Sequence, residues 1–168
     1  MQSIESVYRE NFNIVYKYLF CLTHSNDIAE ELTQETFCIA VKYINSFKGN
    51  CKISVWLCQI AKHLWFKEIM KKKKEKSRID IETLENIENL EEIEDIAFKN
   101  SEKSELYKKI EKLDAKTRKV IYLRIKGELS FKEIGNLMKK NENWARVIFY
   151  RGKQKLKEVD ENERKQRM

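Results

Sequence analysis

Apolar residues recur along this chain at spacings of three and four, the mark of amphipathic helices. Ile4, Val7, Tyr8, Val15, Tyr18, Leu19 and Leu22 share one face of a first helix, predicted from Ser3 to Leu22. Ser25, Asn26 and Asp27 then offer oxygens to a helix N-terminus. Glu30 and Glu31 are placed in the first turn of that second helix, where its dipole favours anions, and it is expected to reach about Ser46. A short polar loop, Lys48 to Lys52, leads to a third helix carrying Trp56, Leu57, Ile60, Ala61, Leu64 and Ile69. Ser54 is its expected cap, and Lys71 to Lys74 close it.

From Asp80 to Glu105 an isoleucine or leucine still returns every third residue, now among acidic side chains, which predicts a linker with helical tendency. Beyond it, Leu113 and Asp114 precede a periodic run of Val120, Ile121, Leu123 and Ile125 that should stop at Gly127, a natural C-cap. Ser130 and Glu133 form an S-x-x-E capping box for a short helix whose expected buried face is Phe131, Ile134, Leu137 and Met138. Lys139 to Asn143 are read as the turn before a last helix running to about Val159. Two helices joined so tightly, after a support helix, read as a helix-turn-helix. On the last helix, Ala145, Ile148, Phe149, Gly152 and Leu156 cluster on one side and are expected to pack inward. Arg146, Val147, Tyr150, Arg151, Lys153 and Gln154 project away, a mixture suited to phosphates and base edges.

Composition sharpens this into an all-α fold. Proline is absent and glycine occurs four times in 168 residues, while Lys, Glu, Leu and Ile abound. That length suits two small helical domains better than one, predicted at residues 1–79 and 106–168 with an acidic linker over 80–105. The net charge of +7 is unevenly spread: the first domain carries +5, the linker −8 and the second domain +10. Two basic blocks flanking an acidic connector make a polyanionic partner plausible. Cys21, Cys38, Cys51 and Cys58 lack zinc-ligand spacing, so no metal or cofactor is expected, and they read as reduced thiols packed as small hydrophobes. No signal peptide and no long apolar span is read, which points to a cytoplasmic protein.

These residues together resemble the sigma-70 family of bacterial RNA polymerase sigma factors, in its small extracytoplasmic-function subgroup (group 4). The resemblance runs from about Tyr8 to Lys157. A-E-E-L-T-Q-E-T-F at 29–37 resembles the helix that docks on the clamp helices of the polymerase beta-prime subunit. F-K-G at 47–49 with V-W-L-C-Q-I-A-K at 55–62 resembles the loop and helix that melt and read the minus-ten element. L-S-F-K-E-I-G-N-L-M at 129–138 and A-R-V-I-F-Y-R-G-K-Q-K-L at 145–156 resemble the helix-turn-helix that reads the minus-thirty-five element.

The resemblance implies a sigma-two-like domain followed by a sigma-four-like one, and no catalysis by this chain. Its core-polymerase contacts would be Glu31, Gln34 and Glu35, with Leu32 and Ile39 packing inward. Minus-ten contacts would be Lys48, Asn50, Lys52, Lys62, His63, Lys67 and Lys71, with Trp56 in the core rather than serving as a base platform. Minus-thirty-five contacts would be Lys132, Asn143, Arg146, Val147, Tyr150 and Arg151. Implied partners are core RNA polymerase, through the beta-prime clamp helices and the beta flap, promoter DNA, and an anti-sigma factor that is often membrane-anchored. The sequence departs from the family pattern at His63 (usually Asn), Lys67 (commonly Asp), Asp114 (often Pro), Gly135 and Gly152 (usually Ala) and Trp144 (often Thr or Ser). The two glycines are expected only to cost helix propensity, up to about 1 kcal/mol each. Two rival readings are a free-standing dimeric DNA-binding regulator, which leaves the 29–37 motif unexplained, and a recombinase or nuclease. The latter lacks a carboxylate cluster or an activated nucleophile in the sequence.

Overall fold

The computed structural model describes residues 2–76 and 105–168, all in helices, turns and loops with no strand among them. The chain divides into two compact units, Met1–Ile96 and Ala97–Met168. The acidic linker expected over 80–105 lies, except for Glu105, outside the described residues.

In the first unit, α1 (Ile4–Thr23), α2 (Asn26–Tyr43) and α3 (Ile53–Lys76) pack against one another. Helix α1 is capped by Ser3, whose Oγ accepts from the Ser6 amide, and ends at His24, whose φ of 56° is left-handed. Val15, Leu19, Cys21, Ala29, Leu57 and Ala61 are fully buried and form the centre of the core. Of the predicted α1 face, Ile4 and Tyr8 are exposed, although the Tyr8 ring still stands 4.8 Å from that of Phe37. The polar Asn11 is buried instead, its amide donating to the Val7 carbonyl at 2.8 Å.

Three boundaries differ from expectation here. Ser25 caps α2, so Glu30 and Glu31 lie beyond its first turn, which holds Asp27. The helix stops at Tyr43, and Ile44–Ser46 continue as a 3-10 turn. Helix α3 starts at Ile53, with the Lys52 carbonyl accepting from the Val55 and Trp56 amides; Ser54 is therefore a buried residue of the first turn and not the cap. The thiols also divide. Cys21 and Cys58 are buried as expected, but Cys38 is exposed and Cys51 half-buried, so small-hydrophobe packing accounts for only two of the four.

The second unit contains α4 (Glu105–Glu111), α5 (Ala115–Ile125), α6 (Phe131–Leu137) and α7 (Glu142–Gln166). Asp114 caps α5 by accepting from the Thr117 amide at 3.1 Å and the Thr117 hydroxyl at 2.7 Å. Arg118 is buried, and its guanidinium donates to the Glu111 and Leu113 carbonyls at 2.8 and 2.6 Å. It thereby satisfies the backbone that leaves α4, a role for which periodicity carries no signal. The end of α5 is not set by a left-handed glycine: Gly127 bonds back to the Tyr122 carbonyl, and Glu128 takes the positive φ of 53°.

Helix α7 runs to Gln166, seven residues past the expected end. Its extra turns carry Asp160 and Glu163, and Lys109 of α4 pairs with both, while Lys112 reaches Glu163. The hydrogen bond from Lys109 holds the Asp160 carboxyl below its ordinary range, and the same bond raises the Lys109 ammonium. Burial pushes the Asp114 carboxyl up, but the Thr117 bonds and the nearby Lys155 outweigh it and leave it lowered. A carboxylate with a lowered folded pKa adds stability above about pH 4, lost as the pH falls through its folded value; a raised lysine adds stability below about pH 10, lost as the pH rises through its folded value. Asp160→Asn is accordingly expected to lower the melting temperature of the full chain at pH 7. That difference should close in acid, as thermal melts from pH 7 to pH 2 would register.

Candidate nucleic-acid and polymerase interfaces

Helix α2 can display a polar stripe because its opposite face is tightly packed. Leu32, Thr33, Thr36 and Phe37 are buried, and the two threonine hydroxyls are satisfied within the helix, donating to the Ala29 and Leu32 carbonyls at 2.6 and 2.7 Å. Glu31, Gln34 and Glu35 consequently lie together on the exposed side. Leu32 packs inward as expected, whereas Ile39 is only half-buried and lines an open groove between α2 and α3.

That groove, of about 370 Å³, is lined by Ile39, Trp56, Gln59, Ile60, His63, Leu64 and Lys67. Trp56 is half-buried on its wall, with its ring 5.2 Å from that of Phe47, so it is not wholly a core residue; Trp65 is the buried one. The His63 Nδ1 lies 2.7 Å from the Gln59 carbonyl, which can only accept, so this nitrogen carries the proton. His63, Lys67 and Lys71 are exposed along α3, and Lys62 is half-buried. Lys48, Asn50 and Lys52 are exposed on the preceding loop, where Gly49 has a φ of 71°. The residues expected at the minus-ten element thus all belong to the loop and to α3.

In the second unit, the capping box is formed: the Glu133 amide donates to Ser130 Oγ at 3.1 Å, and the Ser130 amide to Glu133 Oε2 at 2.8 Å. Helix α6 then turns through Lys139, whose φ is 57°, into α7, capped by Asn141 accepting from the Trp144 amide at 2.7 Å. Asn143, expected in the turn, is thus in the first turn of α7, where it is exposed. The turn is tight because the Lys140 amide bonds the Gly135 carbonyl at 2.8 Å; a Cβ on Gly135 would lie 2.6 Å from the Asn141 carbonyl oxygen. A Cβ on Gly152 would lie 2.6 Å from Ile121 Cδ1 and 2.7 Å from Thr117 Cγ2. Both glycines therefore serve close approach, contrary to the expectation that they only cost propensity.

Ile134 is buried on α6, whereas Phe131, Leu137 and Met138 are half-buried. On α7, Ala145 and Gly152 are buried and Ile148, Phe149 and Leu156 half-buried, as an inward face requires. Arg146, Tyr150, Arg151, Lys153 and Gln154 are exposed, Val147 is half-buried, and Lys132 is exposed on α6. Arg146 is not free: it pairs with Glu142 at 2.8 Å and stands 5.4 Å from the Phe131 ring. Sequence reasoning placed Phe131 in the core and gave Arg124 no role, although the Arg124 guanidinium sits 4.5 Å from that ring. Among the described residues no group of His, Cys, Asp and Glu is arranged to hold a metal, and no helix is long and apolar enough to cross a membrane.

The described residues thus give a first unit with a three-helix core and a second unit that ends in a helix-turn-helix. Residues 7–75, spanning most of α1 and nearly all of α3, match the family model of sigma-70 region 2. The chain is 28% identical over 155 residues to the ECF RNA polymerase sigma factor SigM of Bacillus subtilis (strain 168), covering 92% of this chain and 93% of that one. It is 29% identical over 159 residues to the RNA polymerase sigma factor YlaC of the same organism, covering 92% and 90%. A solved structure, the sigma factor RpoE in complex with the anti-sigma factor NepR from Bartonella quintana, aligns over 94% of this chain and 96% of that one at 15% identity, with a TM-score of 0.49. Over about nine-tenths of its length the chain is thus similar to extracytoplasmic-function sigma factors, and its residues 7–75 match region 2 of the sigma-70 family.

Proposed function

We propose that this chain is a sigma subunit that directs core RNA polymerase to a specific set of promoters and initiates transcription there, as an alternative factor answering a stress or signal. The observation that carries this reading is the co-occurrence, in one chain, of a region 2 unit with a solvent-facing Glu31, Gln34 and Glu35 stripe and a separate helix-turn-helix unit. The chain itself performs no chemistry. Helix α2 docks on the beta-prime clamp helices, and the second unit meets the beta flap. The 47–52 loop and α3 melt and read the minus-ten element: Lys48, Asn50, Lys52, Lys62, Lys67 and Lys71 neutralise backbone charge, and His63 lines the groove beside them. Unstacking a base costs a few kcal/mol, which stacking and cation contacts must offset. Helix α7 enters the major groove of the minus-thirty-five element with Asn143, Arg146, Val147, Tyr150 and Arg151, and Lys132 holds a phosphate. The protein acts in the cytoplasm, where an anti-sigma factor, membrane-anchored in the family pattern, keeps it inactive until the signal arrives.

Reading and holding should separate by mutation. Arg151→Ala is expected to cost about 1 to 3 kcal/mol on the preferred promoter and to relax base preference at one or two positions. Lys132→Ala should weaken all promoters alike and flatten the salt dependence by about one ion. Holoenzyme binding to a randomised minus-thirty-five library at several salt concentrations measures both. A uniform loss for Arg151→Ala together with altered base preference for Lys132→Ala would overturn the placement of α7.

A further inference from the structure

Phe131, the first residue of α6, stands at the centre of a cluster that draws from three helices. The Arg124 guanidinium of α5 lies 4.5 Å from its ring centroid and is itself fixed by donating to the Leu129 carbonyl at 2.9 Å. From α7, Arg146 lies 5.4 Å from the same centroid, and the rings of Phe149 and Tyr150 stand at 5.4 and 6.2 Å. Phe149 and Tyr150 meet edge-on at 5.5 Å, and Lys153 covers both at 5.9 and 5.6 Å. Arg146 is held a second time by Glu142, one turn earlier, at 2.8 Å.

Two of the side chains assigned to base reading, Arg146 and Tyr150, therefore rest on a surface that faces solvent but need not touch DNA. An exposed arginine is rich in rotamers, and ordering it at the moment of contact subtracts from affinity. A guanidinium already placed over a ring face and paired to a carboxylate has lost much of that freedom beforehand. Arg151, one residue beyond Tyr150, leaves the helix about 100° further round and projects from its exposed side.

We propose that Phe131, backed by Arg124, is a positioning residue for promoter specificity: its ring sets the direction in which Arg146 and Tyr150 meet the minus-thirty-five element. The proposal rests on α7 being the reading helix. It assigns specificity to a residue of the supporting helix α6 and to one of α5, neither of which reads a base.

The test uses holoenzyme made with the full chain and a randomised minus-thirty-five library. Arg146→Ala and Tyr150→Ala first define the base positions that those side chains read, and Arg151→Ala defines its own. Phe131→Leu keeps apolar volume but removes the ring. It should lower base preference at the Arg146 and Tyr150 positions at least fivefold and leave the Arg151 position within twofold. Phe131→Met should behave likewise, and Phe131→Tyr should restore the profile. Arg124→Met should act in the same direction. Combining Phe131→Leu with Arg146→Ala should add nothing at the Arg146 position, because a residue acting through another is silent once that other is gone. A uniform loss across all sequences, an unchanged profile, or an additive double variant would overturn the proposal while leaving the reading of α7 intact. An unchanged profile for Arg146→Ala, Tyr150→Ala and Arg151→Ala together would overturn both.

Discussion

Gly135→Ala is expected to destabilise the second unit markedly, and Gly152→Ala less, although both exchange a helical glycine for alanine. Alanine gains up to about 1 kcal/mol of helix propensity at either site. At Gly135 the added methyl would stand 2.6 Å from the Asn141 carbonyl oxygen and 2.8 Å from its carbon. These are backbone atoms of the very residue that caps α7, so relief requires the turn to open. Overpacking of this kind costs about 1 to 3 kcal/mol, more than the propensity gain. At Gly152 the obstacles are side chains, the tip of Ile121 and the methyl of Thr117, whose hydroxyl is held by Asp114. The Ile121 tip can give way more readily than backbone, so the net cost there should be smaller than at Gly135. Calorimetry of the full chain should show a fall of several degrees for Gly135→Ala in the transition of the second unit, with minus-thirty-five binding weakened in parallel. A larger fall for Gly152→Ala than for Gly135→Ala would refute this account of the turn.

Glu31→Lys combined with Gln34→Ala should weaken core-polymerase binding by about 2 kcal/mol or more, about thirtyfold in affinity, if the exposed stripe of α2 is the docking surface. Both side chains are exposed, and the buried Leu32, Thr33, Thr36 and Phe37 that hold the helix are untouched, so helicity should be unchanged. Pull-down with core enzyme reports the outcome. Wild-type retention of the folded double variant would remove α2 from the interface.

What the sequence made legible was local. The capping box at Ser130 and Glu133, a turn after Lys139 and the sorting of α7 into faces all depend on residues within one or two turns of each other, and the structure forms them, with the turn ending at Asn141 rather than Asn143. Glu31, Gln34 and Glu35 were singled out by the resemblance of the 29–37 motif, and helical spacing places the three on one face. What it hid was decided between elements. Whether Ile39 packs or lines a groove depends on how α2 crosses α3. The length of α7 was underestimated because its apolar rhythm fades after Val159, while the ion pairs that hold its last turns come from Lys109 of α4 and Lys112 just after it, some fifty residues earlier in the chain. Gly135 looked like a propensity defect until the Asn141 carbonyl was seen against it. Gly127 looked like a left-handed cap, yet Glu128 takes that conformation, with the Leu129 amide bonding the Leu123 carbonyl just after it. Arg118 is a further case, for nothing in its own periodicity marks it as the residue that closes the end of α4.

The central claim is that this chain confers promoter choice on core polymerase. Run-off transcription from a genomic promoter library, with core polymerase in the presence and absence of the protein, tests it most directly. The account predicts a small set of discrete transcripts that appear only when the protein is added; identical transcripts in both reactions, with the protein binding the same DNA unaided by polymerase, would contradict it.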